Sequence, residues 1–287
     1  MKVVIIGNTG FIGNSIYNYL GKTKEYDLIG ISKNEIDLSG EKNSIALSKY
    51  LTADCIVVMC AGVKKQLGDN LSTFESNSAI INNFCRAISL VPPKKIIFFS
   101  SASVYGEDVD YDEKINEKTP VQPKTYYGIA KYTAERLLEK ICTENETELV
   151  ILRPPLIYGK NDRSRGYGPT GFTYKAIESD EIILWGDGSE FREFVFVDDV
   201  SRVIHRLLNN NFSGILNIVS GRSYTFRKIV DLLIKISKSD INISLRQRSK
   251  EKVNHHYSNV LFKKEITDFQ FTQLDDGLTK TYKSIGS

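Results

Sequence analysis

The 287-residue chain predicts an α/β protein: a Rossmann-type, doubly wound parallel sheet followed by a smaller mixed α/β lobe toward the C-terminus. Three observations predict it. Short apolar runs alternate with helix-length amphipathic segments over the first 155 residues, as strands covered on both faces require. A glycine-punctuated turn follows the first run, and the right-handed crossover rule makes a doubly wound sheet the natural closure. After Pro154-Pro155 the alternation stops: the loop YGKNDRSRGYGPTG at 158–171 is rich in glycine and charge, and short mixed elements come after it. The expected division is 1–155 and 156–287, with a cleft between the lobes and some later segments returning to the first domain.

The apolar runs that predict strands are 3–6, 28–31, 55–59, 96–99 and 149–152. Helices are expected at 74–90 and 125–141, where apolar residues recur at three- and four-residue intervals. Hydrophobic residues make up 41% of the chain, so a sizeable core is available. Net charge is +3, from 38 Lys and Arg against 35 Asp and Glu, which gives no general case for nucleic acid or an anionic membrane surface. The basic run at 246–256 is a local exception. No apolar stretch approaches the roughly 18 residues that a membrane span needs. The opening MKVVIIGNTGFIG has the charge-then-apolar order of a signal peptide, but its apolar run is too short and breaks into glycines. Cys55, Cys60, Cys85 and Cys142 lack metal-type or redox-type spacing and are expected as free thiols, in a soluble, cytoplasmic protein without a metal site.

Gly7, Gly10 and Gly13, with Thr9, Phe11 and Ile12 between them, lie directly after the first strand and open a helix. Such glycines permit a tight turn and close backbone approach, while the helix N-terminus offers N–H groups to a pyrophosphate. The spacing is G-x-x-G-x-x-G. A second strand in such sheets commonly ends in an acid that binds the adenosine ribose 2′-hydroxyl of NAD. Here it ends in Ser32-Lys33-Asn34, a hydroxyl and a cation that suit a 2′-phosphate. NADP(H) is therefore the preferred cofactor and NAD(H) the alternative, with a solvated lysine on a turn as the plain reading. Asp37 and Leu38, just beyond, belong to the same expected set.

The strand at 96–99 runs into FSSASVYGE, 99–107, a cluster of hydroxyls at the carboxyl end of a parallel strand, where α/β proteins seat ligands. A serine-capped turn is the alternative. In PKTYYGIAKYTAERLLEKI, Tyr127 and Lys131 stand four apart and share one helix face. A neighbouring ammonium favours the phenolate, so Lys131 is expected to lower the pKa of Tyr127 from its ordinary value near about 10.

Together GNTGFIG, SSASVYG and YYGIAK resemble the extended short-chain dehydrogenase/reductase family. GDGSEFREFVFVDDV at 186–200 and LNIVSG at 216–221 resemble its nucleotide-sugar branch of epimerases, dehydratases, decarboxylases and ketoreductases. The resemblance runs in order over almost the whole chain. It implies that Ser101 hydrogen-bonds the sugar oxygen undergoing redox, that Tyr127 exchanges the proton of that oxygen, and that Lys131 holds the nicotinamide ribose. Ser100 joins the expected cofactor set, although with Tyr105 it is more simply a support of the turn. Ser103 points the same way as Ser101 if strand alternation persists, and so reaches substrate. Cys60, Ala61 and Gly62 pass beneath the cofactor, with Asn77 beyond them and Pro154 also in the cofactor set. Arg192 and Arg248 are the expected diphosphate ligands, and Trp185 lies near the nucleobase.

Departures from the family pattern narrow the chemistry. Sugar 4,6-dehydratases carry Asp-Glu after the serine, where this chain has Ala102-Ser103. Many decarboxylases carry Glu at the position of Ser103, and fucose-forming epimerase-reductases carry Cys. Leu156 replaces a phosphate-binding asparagine, and SKEK at 249–252 replaces the usual Gly-Asp beside Arg248. What remains needs only Ser, Tyr, Lys and a nicotinamide. The expectation is NADPH-dependent reduction of the 4-keto group of a nucleoside-diphosphate deoxy-sugar for surface-polysaccharide precursors, with an NAD-dependent 4-epimerase as runner-up. A non-catalytic cofactor sensor ranks below both, because Tyr127 and Lys131 are intact. Dimerisation is expected through the helices at about 71–90 and 124–142. His205, His255 and His256 are read as ordinary helix and loop histidines, and Lys64 and Lys65 as a solvated turn.

Overall fold

The computed structural model describes every residue except Glu41, Lys42, Arg163, Ser164, Ser239, Lys250 and Ser287, so Lys250 of the basic run lies outside the described residues. The chain forms two compact units: 1–107, 120–154 and 200–217 make the first, and 108–119, 155–199 and 218–287 the second. The first unit thus runs to residue 154 apart from 108–119, and takes in 200–217 from the later chain.

In chain order the elements begin with β1 (Lys2–Ile6), α1 (Phe11–Thr23), β2 (Asp27–Ile31), α2 (Asn43–Ser48) and β3 (Ile56–Met59). They continue with α3 (Leu71–Leu90), β4 (Lys95–Phe99), α4 (Tyr126–Glu144) and β5 (Glu148–Arg153). Short 3₁₀ turns occupy Lys65–Leu67 and Ala102–Tyr105. After them come β6 (Leu156–Tyr158), α5 (Pro169–Glu178), β7 (Ile182–Trp185), β8 (Phe191–Phe196), α6 (Val197–Leu208) and β9 (Gly214–Asn217). The last are β10 (Ser223–Thr225), α7 (Phe226–Ser237), β11 (Ile243–Arg246), α8 (Val260–Glu265) and α9 (Leu274–Gly286).

Among the described residues the first unit holds a six-stranded sheet in the order β2-β1-β3-β4-β5-β9. Every pairing in it is parallel. Val3, Val4, Ile5 and Ile6 are buried on both sheet faces, which is why β1 reads as a continuous apolar run rather than an alternation. Strand order reverses direction between β1 and β3: the chain passes from β1 out to β2, then returns to the other side of β1. Ligands in open α/β sheets settle at the carboxyl ends flanking such a reversal. The core joins these strands to α3 and α4 through Ile81, Phe84, Ile88, Ala134 and Leu138.

Side chains cap the starts of both α3 and α4. Asn70 and Thr73 form a reciprocal capping box at α3. Thr125 accepts from the Gly128 N–H at 3.0 Å and caps α4.

The second unit holds the strand trio β10-β8-β6 and the pair β11-β7 among the described residues. Phe172, Leu184, Phe194, Phe196, Phe226 and Ile229 fill its separate core. No described helix is long and apolar enough to cross a membrane.

Candidate active site

The glycine loop after β1 is shaped by backbone proximity. Gly7 has φ +85°, and a Cβ there would stand 2.9 Å from the Ala61 nitrogen at the exit of β3. A Cβ on Gly13 would run into the Gly7 carbonyl. The loop therefore lies flat against β3, and α1 opens behind Gly10 with no side-chain cap. An uncapped helix start beside a glycine cradle at the sheet's switch point fits a dinucleotide pyrophosphate. Thr9 and Gly10 are exposed there. Ile12 is partly buried. Phe11 is buried, with Lys64 Nζ 4.8 Å from its ring centroid.

The end of β2 corrects one expectation. An acid is present after all: Glu35 Oε2 accepts both the Ser32 N–H and the Ser32 hydroxyl, each at 2.7 Å. These hydrogen bonds hold the Glu35 carboxyl below the usual carboxylate range. Lys33 lies 3.5 Å from Asp37, whose carboxylate also takes the Ser39 N–H and hydroxyl. The hydroxyl and the cation that suited a 2′-phosphate thus already face carboxylates. Ser-x-x-Glu, a capping-box spacing, was the legible signal. The Leu38 side chain belongs to the core and its carbonyl accepts from Asn83 at 2.8 Å, which leaves only backbone contact to a ligand.

Around the expected chemistry, the structure brings Ser101, Tyr127 and Lys131 together. Lys131 Nζ donates to the Phe99 carbonyl at 2.7 Å, which ties α4 to the end of β4. It lies 5.8 Å from the Tyr127 ring centroid. Asp69 accepts the Tyr127 N–H at 3.0 Å and steadies the first turn of α4. Ser101 favours the ionised phenol, yet desolvation outweighs it and pushes Tyr127 up to about 12. Burial likewise drives Lys131 down to about 8. This reverses the expected lowering of the tyrosine. Desolvation wins in the protein alone, so at neutral pH the phenol carries its proton.

Ser101 caps the 3₁₀ turn at 102–105 and accepts the Ser103 N–H at 3.1 Å. Strand alternation therefore does not persist past Ser101. Ser103 nevertheless stays beside it, its Oγ 3.1 Å from Ser101 Oγ. Ser100 turns away: its hydroxyl donates to the buried Glu135, so its side chain is a support and not a cofactor contact. Arg153 grips the same carboxylate through Nε at 2.9 Å and Nη2 at 2.6 Å, and its Nη1 donates to Tyr105 Oη at 3.1 Å. Tyr105 in turn donates to Asn217 on β9 at 2.8 Å. This buried network fixes the turn that carries Ser101. The Pro154 carbonyl completes it by accepting the Ala102 N–H at 2.9 Å.

At the exit of β3, Asn77 bridges the Val63 backbone through both amide atoms. A Cβ on Gly62 would meet Asn77 Oδ1 at 3.2 Å and Lys131 Nζ at 3.5 Å, so the glycine leaves a passage beside the lysine. The Cys60 N–H donates to the Ile6 carbonyl at 2.9 Å, and burial pushes its thiol up to about 12. Lys65 does not lie on a merely solvated turn: it forms an ion pair with Glu107, which also accepts the Ser103 hydroxyl at 2.8 Å.

In the second unit, Glu190 binds Arg192 and Arg248 at once, the latter at 2.8 Å. Arg248 fits against Gly186, where any Cβ would collide with the guanidinium. Its Nη2 is buried and has no hydrogen-bond partner among the described residues. Two arginines gathered by one carboxylate, with a donor left over, fit a diphosphate. The Trp185 ring lies 5.3 Å beneath the Arg246 guanidinium. Sequence reasoning missed Glu35, Asp69, Glu107, Glu135 and Glu190. Each is an acid with a partner set by folding, although Glu35 and Glu107 also stand three and four residues from Ser32 and Ser103, Glu190 two from Arg192, and Glu135 one helical turn from Lys131.

This fold and this Ser-Tyr-Lys arrangement define a nicotinamide-dependent enzyme class of the short-chain dehydrogenase type. The model of the NAD dependent epimerase/dehydratase family matches residues 3–219, and the chain belongs to that family. It is 24% identical to a GDP-6-deoxy-D-talose 4-dehydrogenase from Aggregatibacter actinomycetemcomitans, over 85% of this chain and 82% of the relative. Among solved structures it is similar to RMD from Pseudomonas aeruginosa complexed with NADPH, with TM-score 0.88 and 18% identity over 99% of this chain and 98% of that one. It is also similar to UDP-glucuronic acid 4-epimerase from Bacillus cereus in complex with NAD, with TM-score 0.83 and 23% identity over 99% and 96%.

Proposed function

We propose that the protein reduces the 4-keto group of a nucleoside-diphosphate deoxy-sugar. The observation that carries this reading is the grouping of Tyr127 and Lys131 with Ser101 at the carboxyl end of β4, where Lys131 Nζ donates to the Phe99 carbonyl at 2.7 Å and lies 5.8 Å from the Tyr127 ring centroid. A ketone that accepts hydride needs a proton on its oxygen, and a neutral phenol is the group that can give one. Ser101 steadies that oxygen, and Lys131, anchored on Phe99, orients the phenol and the nicotinamide ribose. The reduced nicotinamide, when bound, supplies the hydride. Arg192 and Arg248 hold the diphosphate, and Trp185 lies by the base. A 4-dehydrogenase of a deoxy-sugar nucleotide among the relatives supports the substrate class.

NADPH remains the proposed cofactor through Ser32 and Lys33. Both Lys33 and Glu35 are exposed, so their local pairs can part for a 2′-phosphate at small cost. One observation favours a second reading. The Glu35 carboxylate at the end of β2 suits a ribose hydroxyl, and hence retained NAD and 4-epimerisation through a transient ketone.

The test is a screen of 4-keto sugars on UDP, dTDP, GDP and CDP, following NADPH and NADH absorbance, with bound nucleotide assayed in the purified protein. Consumption of NADPH with a higher kcat/KM than NADH is expected. Tightly held NAD in the purified protein, with no net consumption of either cofactor, transfers the assignment to the epimerase.

A further inference from the structure

Outside the expected Ser-Tyr-Lys set, one carboxylate is joined to it through side-chain hydroxyls. We infer that Glu107, held by Lys65, is the proton-exchange terminus of the active site, connected to Tyr127 through the hydroxyls of Ser101 and Ser103. The inference rests on the proposed redox role of Tyr127.

From Ser101 to Glu107 the chain of hydrogen bonds is continuous. Ser101 also acts on the Tyr127 phenol, favouring its ionised form. Ser101 Oγ lies 3.1 Å from Ser103 Oγ, and Ser103 Oγ lies 2.8 Å from Glu107 Oε1. The other carboxylate oxygen of Glu107 forms the ion pair with Lys65. Its direction is set by chemistry. An ionised carboxylate only accepts, so Ser103 must donate to Glu107, and the free lone pairs of Ser103 then receive the Ser101 proton. A hydroxyl chain of this kind passes a proton without moving any heavy atom far.

In reduction, Tyr127 gives its phenolic proton to the ketone oxygen and is left as phenolate. Ser101 refills it, Ser103 refills Ser101, and Glu107, protonated from solvent, refills Ser103. One solvent proton is consumed per ketone reduced, and each hydroxyl ends as it began. In the oxidative direction the same transfers run backward onto the carboxylate. The motif is otherwise hard to explain: a solvated ion pair needs no hydroxyl partner, and the 3₁₀ turn is already capped by Ser101.

The experiment compares wild type with Glu107→Gln, Glu107→Asp, Ser103→Ala and the double variant Ser103→Ala/Glu107→Gln. Glutamine keeps the hydrogen bond but cannot exchange the proton. A roughly ten- to hundredfold fall in kcat is expected for Glu107→Gln, with little change in sugar-nucleotide KM and partial recovery in Glu107→Asp. Steady-state rates in H₂O/D₂O mixtures should curve for wild type, where several protons move together, and become linear in Glu107→Gln and Ser103→Ala. The double variant should be no slower than the worse single one. Full activity in Glu107→Gln, or additive losses with a raised KM, overturns the relay in favour of a structural ion pair.

A substrate-free measurement separates this from failure of the redox reading. The Glu107 carboxyl is titrated by ¹³C NMR, its signal assigned by its loss in Glu107→Gln. Removing the Ser103 hydroxyl should raise its midpoint while Lys65 still pairs with it. An unchanged midpoint overturns the relay even if no sugar nucleotide in the screen is turned over.

Discussion

At Tyr127 two influences compete, and the structure decides between them. A lysine four residues along the helix argues for an easily ionised phenol, whereas burial argues for a neutral one. Burial wins, with the phenol up at about 12 and Lys131 down at about 8. The spacing of the pair is legible in the sequence. Its electrostatics are not, because desolvation depends on what the fold packs around both groups. Tyr127→Phe removes the transferable proton and almost nothing else. We expect turnover to fall roughly a hundred- to ten-thousandfold. Cofactor and nucleoside-diphosphate affinities, measured by calorimetry, should stay within about twofold of wild type. A variant that keeps near-normal turnover would remove Tyr127 from the mechanism.

At the scale of elements, the strands are readable and their exits are not. All five predicted strands occur, each end within one residue of its expected place, because buried parallel strands announce themselves as unbroken apolar runs. The 102–105 segment departs from continued strand. Its 3₁₀ turn depends on Ser101 capping Ser103 and on the buried Glu135–Arg153–Tyr105 network, whose members lie up to 48 residues apart. The glycine loop is legible for the opposite reason: its constraint is written into residue type. Gly13→Ala tests it. The added methyl meets the Gly7 carbonyl, so the loop must lift from β3 or the helix must shift. Overpacking of this kind costs about 1–3 kcal/mol. Thermal unfolding should fall by several degrees, and nicotinamide-dinucleotide affinity by about tenfold or more, since the phosphate seat moves with the loop. Unchanged affinity in a folded variant would show that the pyrophosphate does not sit there.

At the scale of the whole molecule, the buried ionisable groups set a pH dependence of stability. Burial pushes Cys60, Cys85 and Cys142 up to about 12. An unfolded thiol titrates near about 8.5, so above that pH the unfolded chain releases protons that the folded chain keeps, and stability falls as pH rises. Lys131 acts in the opposite sense: folded near 8, it has lost a proton that the unfolded lysine keeps to about 10.4, so its term raises stability over that window. Burial lowers Lys95 in the same sense, by less than Lys131, and the three thiols outweigh the two lysines. The urea midpoint under reducing conditions should therefore drop between about pH 7.5 and 9.5, and Cys85→Ala/Cys142→Ala should flatten the slope. A midpoint that rises with pH would contradict the desolvation of these thiols.

The sequence by itself determined the strand–helix alternation, the glycine loop at the first strand's exit, the Tyr127–Lys131 pair and membership of a sugar-nucleotide enzyme family. Those features are local: they need only a period, a residue type or a short spacing. Tertiary structure decided the rest. It took 200–217 into the first unit, where β9 pairs with β5, and 108–119 into the second. It brought Glu135 onto Ser100 and Arg153, Lys65 onto Glu107 and Arg248 onto Glu190. A carboxylate's partner and a phenol's proton depend on which distant groups arrive and how much water they displace, and no window of sequence contains either.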